Sequence, residues 1–460
     1  MRFTVENTKQ YLVLPYLKGA EDREVRFYDK EERILTSLLL EFGPEGNREV
    51  YIPSSLFPER LIIDGPEGLE GLVRTSDEKP SAPQHFSYHY TPAFGWINDP
   101  NGMHFADGVY HLYYQYNPVS EKWNNMSWGH AVSTDMVTFR EEAPVFLPKD
   151  DRWVIFSGSA LDGEFAYTVA NVKGEREFYQ ERRFSDDGYT FSEPEVIIPN
   201  SVSDERDPRL FTYNGKKYLL LWLKENTFAL YREEYGSYEM VNSFDAEGAW
   251  ECPDLLKADG RIFFTSADGF YFEAEIDDEG LHLISERKEM FLTKLPYASQ
   301  SFTGTDDTYM ISWLRVQTPH LPTTGAMSMV RKVGYSDGVL TLKPVDALFS
   351  RFVPTGERTG EYSSSEEALY LVAEGSFEGT LYSKPFSWDA ERGILSYGDE
   401  DVHMNTSNTT LHIFIDHEIT EISSGDWKAL ASFENALKKD YDEIIRLKLN
   451  GTVLKENVWR

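Results

Sequence analysis

The sequence predicts an all-β protein, in which a five-bladed β-propeller is preceded by a small N-terminal β module and followed by a C-terminal β-sandwich. Aromatic residues make up 14% of the 460 residues, and 32 glycines and 22 prolines separate short runs of alternating apolar and polar residues. Aromatic, alternating runs favour strands, and Gly and Pro favour the turns between them. A unit of about 45 residues also recurs along the middle of the chain, as propeller blades do.

The N-terminal part is expected to form a separate β module. Residues 1–76 contain short alternating stretches, such as 10–15, 24–28 and 35–42, with Gly, Pro, Asp and Asn between them. This pattern predicts small antiparallel sheets. Residues 77–84 are polar and contain two prolines, which predicts a linker.

The recurring unit lies within residues 85–350 and consists of a turn, an aromatic strand and a second strand. Such turns begin at Asp107, Asn214, Asp259 and Asp306, and an apolar strand from Trp153 lies midway in the longest interval. Five units fit this region, which predicts a five-bladed propeller. An irregular β-sandwich with coincidental spacing is the alternative.

The pattern changes in residues 351–460. Strand-like runs continue there, but the blade turns stop, which predicts a C-terminal β-sandwich. A mixed pattern over 426–438 is the one candidate helix.

Charge and composition limit the partners. The net charge of −32 disfavours binding to nucleic acid or anionic membranes, whereas it is compatible with a neutral sugar. Cys252 is the single cysteine, so an intrachain disulfide and a cysteine-cluster metal site are excluded. The longest apolar run is short for a membrane span, and no signal-peptide pattern is evident, so a cytoplasmic location is expected. The pattern does not predict an oligomeric state.

Three acidic segments with a nearby proline are the best candidates for catalysis. They contain Asp99 in segment 96–102, Asp207 in 206–208 and Glu251 in 251–253. One such Asp alone usually caps a structural turn. The three acids, however, are separated by slightly more than two repeat units and then by one. Because the inner strands of propeller blades meet around one axis, we expect these carboxyl groups to converge, as glycoside hydrolysis requires.

The three segments resemble the signature motifs of glycoside hydrolase family 32, which contains invertases, inulinases and levanases. The resemblance extends over about 85–430 and includes further motifs at 111–118, 123–131, 133–138, 156–160 and 412–422. The N-terminal module is not part of the minimal family. It is similar to an accessory β domain of some bacterial members that degrade fructans.

The resemblance implies a retaining β-fructofuranosidase that hydrolyses terminal β-D-fructofuranosyl residues of sucrose, fructo-oligosaccharides or fructans. Asp99 would be the nucleophile, Glu251 the general acid/base and Asp207 the transition-state stabiliser, kept ionised by Arg206. The residues expected to bind fructose are Asn98, Gln115, Trp123, Phe156, Ser157 and Arg206. The chemistry needs only carboxyl groups and water, so no cofactor and no metal are expected.

Alternatives within the family are a fructosyltransferase and a sucrose-6-phosphate hydrolase, and a non-catalytic sugar-binding propeller is the alternative from another class. The net charge favours a neutral fructoside over a phosphorylated one. Thr323, Val330 and Lys332 stand where the family usually has Trp, Pro and Glu, while Arg331 is retained. This departure leaves the choice of fructoside open. The sequence also does not distinguish exo from endo action.

Overall fold

The computed structural model describes residues 1–43, 45–46, 48–81, 84–150, 152–202, 204–404, 408–435 and 443–460. The all-β prediction is confirmed, because strands dominate these residues. The helices found among them are a 3-10 turn at Ser54–Leu56 and a short α-helix, α1, at Asp346–Phe349. None of the described helices is long and apolar enough to cross a bilayer.

Two small sheets form the N-terminal unit. Its strands are β1 (Arg2–Glu6), β2 (Tyr11–Tyr16), β3 (Asp22–Tyr28), β4 (Ile34–Glu41), β5 (Arg48–Pro53), β6 (Arg60–Asp64) and β7 (Arg74–Ser76). One sheet has the order β1-β6-β3-β4 and the other β5-β2-β7. Their apolar faces share one core, which also takes in Val119 from beyond the unit.

Five successive sheets follow in the described part of residues 95–344. The first contains β8 (Gly95–Ala106), β9 (Val109–Asn117), β10 (Ser127–Ser133) and β11 (Arg140–Phe146). The second contains β12 (Trp153–Leu161), β13 (Glu164–Asn171), β14 (Phe178–Phe184) and β15 (Glu195–Ile198). The third contains β16 (Arg206–Tyr213), β17 (Lys216–Lys224), β18 (Thr227–Glu234) and β19 (Ser237–Asp245).

In the fourth and fifth sheets, as in the second and third, neighbouring strands are antiparallel. The fourth contains β20 (Asp254–Ala258), β21 (Arg261–Thr265), β22 (Phe270–Ile276), β23 (Leu281–Leu283) and β24 (Lys288–Glu289). The fifth contains β25 (Pro296–Ser301), β26 (Tyr309–Leu314), β28 (Ala326–Met327), β29 (Arg331–Ser336) and β30 (Val339–Pro344). Strand β27 (Thr323–Thr324) returns to the first sheet, where it pairs in parallel with β8.

The first strands of the five sheets are linked in a closed ring of polar contacts. Each neighbouring pair is joined by at least one such contact: Ser157 to Asp99, Ser159 to Pro208, Arg209 to Asp254, Asp254 to Ser301, and Gln300 to Met103. The inner edges of the five sheets therefore surround one axis.

The C-terminal strands form one continuous sheet that folds over on itself. They are β31 (Phe352–Ser364), β32 (Ala368–Glu374), β33 (Phe377–Leu381), β34 (Lys384–Asp389), β35 (Ile394–Tyr397), β36 (Glu400–His403), β37 (Thr410–Asp416), β38 (Ile419–Ser424), β39 (Leu430–Glu434) and β40 (Ile445–Trp459). Residues 445–449 of β40 pair with β33, whereas residues 453–458 pair with β32. Side chains from both parts pack in one core.

The candidate helix over 426–438 is wrong where the structure describes it. Leu430–Glu434 is a strand that pairs with β38. The Leu430 carbonyl also accepts a hydrogen bond from the backbone N–H of Leu292, in the segment before β25. These tertiary contacts override the weak local preference for a helix. Residues 436–438 of the predicted helix lie outside the described residues.

Candidate active site

Bulges at the inner strands turn polar side chains toward the axis. The register shifts at Asn98–Asp99 in β8, at Phe156–Ser157 in β12 and at Asp207–Pro208 in β16. Glu251 and Cys252 precede β20 and have φ angles of 31° and 44°. Such bulges and rare backbone conformations re-aim side chains and are frequent at functional sites.

These residues surround a cavity of about 500 Å³. The cavity is lined by all nine residues that the sequence assigned to the site, namely Asn98, Asp99, Gln115, Trp123, Phe156, Ser157, Arg206, Asp207 and Glu251. Further lining residues are Asn171, Val172, Arg176, Phe178, Tyr297 and Trp313. Segments that are far apart in sequence are thus brought together, as the repeat spacing predicts.

Asp99 is a partly buried carboxyl group with few hydrogen-bond donors. Ser157 Oγ donates to Asp99 Oδ2 at 2.8 Å, and the Cys252 thiol lies 3.7 Å from the same oxygen. Burial and the nearby Glu251 charge raise the pKa of Asp99 to about 6, although hydrogen bonds from Ser157 and Asn98 oppose the shift. The side chain is therefore ionised at neutral pH, yet poorly solvated, which suits a nucleophile.

Asp207 lies on the other side of the Cys252 thiol. Its Oδ2 accepts a hydrogen bond from Cys252 N at 3.0 Å, and Cys252 Sγ lies 3.4 Å from it. Burial raises the pKa of Asp207, and the charges of Glu251 and Asp99 add to this, so that together they outweigh the opposing effect of Arg206. Arg206 lowers the pKa of Asp207, in the direction expected, but the opposing effects are larger. That Arg206 keeps Asp207 ionised therefore stays a prediction.

Arg206 pairs mainly with Glu251. Its Nε and Nη2 donate to Glu251 Oε2 at 3.0 and 2.5 Å, whereas Asp207 Oδ2 is 3.8 Å from Arg206 Nε. The guanidinium also stacks 4.1 Å above the Trp222 ring. Arg206 thus fixes the orientation of Glu251 through a charge-assisted fork.

Tyr297 is the main site residue that sequence reasoning missed. Its hydroxyl donates to Glu251 Oε1 at 2.5 Å and accepts from Trp250 Nε1 at 2.6 Å. Pro296 precedes Tyr297 but no acid marks the segment, and Tyr297 lies 46 residues after Glu251, one repeat unit further on. The spacing rule applied to the fifth unit would have found it.

Aromatic rings form the walls of the cavity. Trp123 lies edge-to-face with Phe156 at 6.2 Å, and Trp96 Nε1 donates to Asn98 Oδ1 at 2.8 Å. Flat apolar walls with amide groups between them suit the faces and hydroxyls of a sugar ring.

Within the part of the chain that the structure describes, His85, His320 and Glu418 form a donor set that would suit a metal ion. Their ligand atoms lie within 4.8 Å of one another, and His85 Nε2 is 2.6 Å from Glu418 Oε2. Both histidines also fit simple ion pairs with the buried carboxylate. None of the three lines the cavity, so the chemistry of the carboxyl groups does not involve them.

The chain is similar to known proteins in both sequence and structure. The sequence profile of the Glycosyl hydrolases family 32 N-terminal domain matches residues 89–344. Levanase from Bacillus subtilis (strain 168) is 37% identical over 199 residues, which are 38% of this chain and 29% of that protein. Sucrose-6-phosphate hydrolase from Escherichia coli is 28% identical over 305 residues, 56% of this chain and 64% of that protein. The chain thus spans less than two thirds of the length of these two relatives.

A solved structure extends the likeness to the whole chain. The glycoside hydrolase family 32 structure from Bifidobacterium adolescentis matches with a TM-score of 0.71 at 17% identity and covers 100% of this chain and 99% of that chain. The shared fold is the β-propeller and β-sandwich architecture of these enzymes. The profile covers more than half of the chain and includes all three acidic motifs. The chain therefore belongs to glycosyl hydrolase family 32.

Proposed function

We propose that the protein is a retaining β-fructofuranosidase that acts on neutral fructosides such as sucrose and fructans. The observation that carries this proposal is the convergence of Asp99, Asp207 and Glu251 in one cavity with aromatic walls. The names of its relatives, levanase and sucrose-6-phosphate hydrolase, describe enzymes that act on fructosides.

In the first step, the Asp99 carboxylate attacks the anomeric carbon of the fructosyl unit while Glu251 protonates the departing glycosidic oxygen. The C–O bond to the leaving group breaks as the ester bond to Asp99 forms. The Tyr297 hydroxyl, which donates to Glu251 Oε1, stabilises the carboxylate that remains once Glu251 has given up its proton. Asp207, which also lines the cavity, would bind hydroxyl groups of the fructosyl unit.

In the second step, Glu251 takes a proton from water, and the water oxygen attacks the anomeric carbon, which frees Asp99. Two displacements at one carbon retain its configuration. Trp123 and Phe156 would exclude other water from the site.

The experiment that tests this proposal is incubation with sucrose in the presence of methanol. Release of glucose together with methyl β-fructofuranoside is expected, because methanol replaces water in the second displacement. The α-anomer would contradict retention, and the absence of fructosyl products from sucrose, inulin and levan would exclude the function.

Sucrose-6-phosphate is the alternative substrate to compare. Arg176, a cation at the cavity wall, already pairs with Asp204 at 2.7 Å, and Arg206 pairs with Glu251. With both positive charges neutralised, kcat/KM on sucrose is expected to equal or exceed that on sucrose-6-phosphate. A large preference for the phosphate would contradict the neutral substrate.

We extend the proposal to the architecture. The five sheets and the ring of contacts between their first strands support a five-bladed propeller, which β27 closes by pairing with β8. The division that follows is an accessory unit at 1–76, a linker at 77–84, a catalytic propeller at 85–350 and a sandwich at 351–460.

Tyr297→Phe should lower kcat/KM on sucrose by about 10- to 100-fold, the cost of losing one hydrogen bond to a charged group. The change removes the donor to Glu251 Oε1 and leaves the ring in place. Tyr309→Phe is the matched control, because its hydroxyl contacts Asp307 at the surface. Equal activity of the two variants would show that Tyr297 does not support Glu251.

The acid limb of the kcat/KM profile should lie near pH 6. The raised pKa of Asp99 means that this carboxyl is protonated below about pH 6 and cannot attack. Activity is therefore expected to fall by about tenfold per pH unit below that point. A profile that stays flat down to pH 4 on a folded enzyme would contradict the assignment of Asp99.

A further inference from the structure

The segment that carries Trp123 is fastened to the N-terminal unit. This segment, residues 118–126, connects β9 and β10 and is called the Trp123 loop below. Val119 of the loop is fully buried in the core of the N-terminal unit. The loop is thus packed into a part of the chain that does not line the cavity.

The two neighbours of Trp123 in the chain share one carboxylate of the N-terminal unit. Lys122 Nζ pairs with Asp22 Oδ1 at 2.9 Å, and Asn124 Nδ2 donates to Asp22 Oδ2 at 3.4 Å. Lys122 also pairs with Glu41 at 3.3 Å, and Ser120 Oγ donates to Glu41 at 2.5 Å. The backbone on both sides of Trp123 is therefore held by β3 and β4.

The ends of the loop are fixed as firmly. The side-chain amide of Asn125 makes the two hydrogen bonds to Leu39 that a neighbouring strand would make. Its Oδ1 accepts from Leu39 N at 2.8 Å, and its Nδ2 donates to Leu39 O at 2.9 Å. Glu121 is buried and pairs with Arg48 at 2.9 Å and with Lys18. A loop this long at the rim of a cavity would otherwise have many conformations.

Trp123 itself points the other way, to the cavity. Its side chain is 49% exposed and lies against Phe156. Such an aromatic face at the rim can stack on a sugar ring, but a loosely held one would lose conformational entropy on binding. The contacts of Lys122 and Asn124 with Asp22 restrict the loop before the sugar binds, so that less conformational entropy is lost on binding.

We propose that the N-terminal unit is a positioning device for Trp123 and thereby sets the affinity for the sugar ring at the cavity mouth. The proposal rests on the proposed function for its ligand, a fructoside. Asp22 acts through Lys122 and Asn124 and touches no substrate. It is therefore a positioning residue.

The test uses the full-length chain with Asp22→Ala, and Asp64→Ala as the matched control. Asp64 lies in the same unit, where it pairs with the N-terminal ammonium group. Asp22→Ala is expected to raise KM for sucrose about 3- to 10-fold, in the range of one aromatic contact, and to leave kcat within about twofold. Asp64→Ala should change neither.

A double-mutant cycle separates positioning from a general loss of structure. In a Trp123→Ala background, Asp22→Ala should have no further effect on KM, since the ring that it positions is gone. Additive effects, an unchanged KM in the single variant or a loss confined to kcat would each overturn the proposal.

Hydrogen exchange gives a readout that does not depend on activity. Amides of residues 118–126 should exchange faster in Asp22→Ala than in the unchanged chain, and Asp64→Ala should not alter them. Unchanged exchange would overturn the proposal even in an active enzyme. Failure of the unchanged chain to act on any fructoside would instead exclude the proposed function and leave exchange to decide whether Asp22 holds the loop.

Discussion

Replacing Asp99 with alanine should lower the rate of fructose release from sucrose by at least about 10⁴-fold, because no other group remains to form the fructosyl ester. The fold should survive, since Asp99 contributes an unfavourable buried charge rather than a stabilising pair. Fructose binding should stay measurable, because the walls and the remaining amide groups are unchanged. Initial rates of glucose release, with binding of fructose measured by calorimetry, check both expectations.

Azide provides a sharper test of the same variant. A small anion can enter the space left by the carboxylate and attack the anomeric carbon, while Glu251 still protonates the departing glucose. The expected product is the α-configured fructosyl azide, inverted by a single displacement. Asp307→Ala, at an exposed aspartate that pairs with Lys332, is the control and should behave like the unchanged enzyme. Residual activity of Asp99→Ala above about one percent without azide would contradict the role of nucleophile.

The sequence predicts a site residue best where its type forms an uncommon local pattern. An acid within two residues of a proline in three segments, separated by slightly more than two repeat units and then by one, indicates Asp99, Asp207 and Glu251. Tyr297 carries no such mark, because tyrosine is common in this chain, with 27 residues. Its importance arises only from its contacts with Glu251 and Trp250.

The local sequence also does not predict which of two acids Arg206 contacts. Arg206 is the neighbour of Asp207 in sequence, so pairing between the two was the natural expectation. The bulge at Asp207–Pro208 directs the two side chains differently, and the guanidinium contacts Glu251, which precedes the first strand of the neighbouring sheet. Which of two acids an arginine contacts depends on backbone angles that residue identities do not specify.

For the fold as well, local features can be predicted from the sequence, whereas contacts between distant segments cannot. Strand content and the repeat of about 45 residues follow from composition and local spacing, which a sequence displays directly. The strand at Leu430–Glu434 and the fastening of the Trp123 loop depend on contacts between distant segments, such as Leu39 with Asn125. Such contacts depend on tertiary packing, and the local pattern of either segment does not predict them.

Replacing Glu251 with glutamine should lower kcat on sucrose by about 10²- to 10⁴-fold, the usual contribution of a general acid or base. The amide keeps the shape of the side chain and can still contact Arg206 and Tyr297, but it cannot donate a proton to glucose. The effect should depend on the leaving group. Fluoride departs without protonation, so the first step with β-fructosyl fluoride should be much less impaired than with sucrose.

With this good leaving group, the second step becomes the slow one in Glu251→Gln, because no base remains to activate water. The fructosyl ester on Asp99 should therefore accumulate. Mass spectrometry of the quenched protein should show one added fructosyl residue, and peptide mapping should place it on Asp99. The double variant Asp99→Ala/Glu251→Gln should show no added mass. Equal losses for the fluoride and sucrose, with no accumulated ester, would mean that Glu251 is not the proton donor.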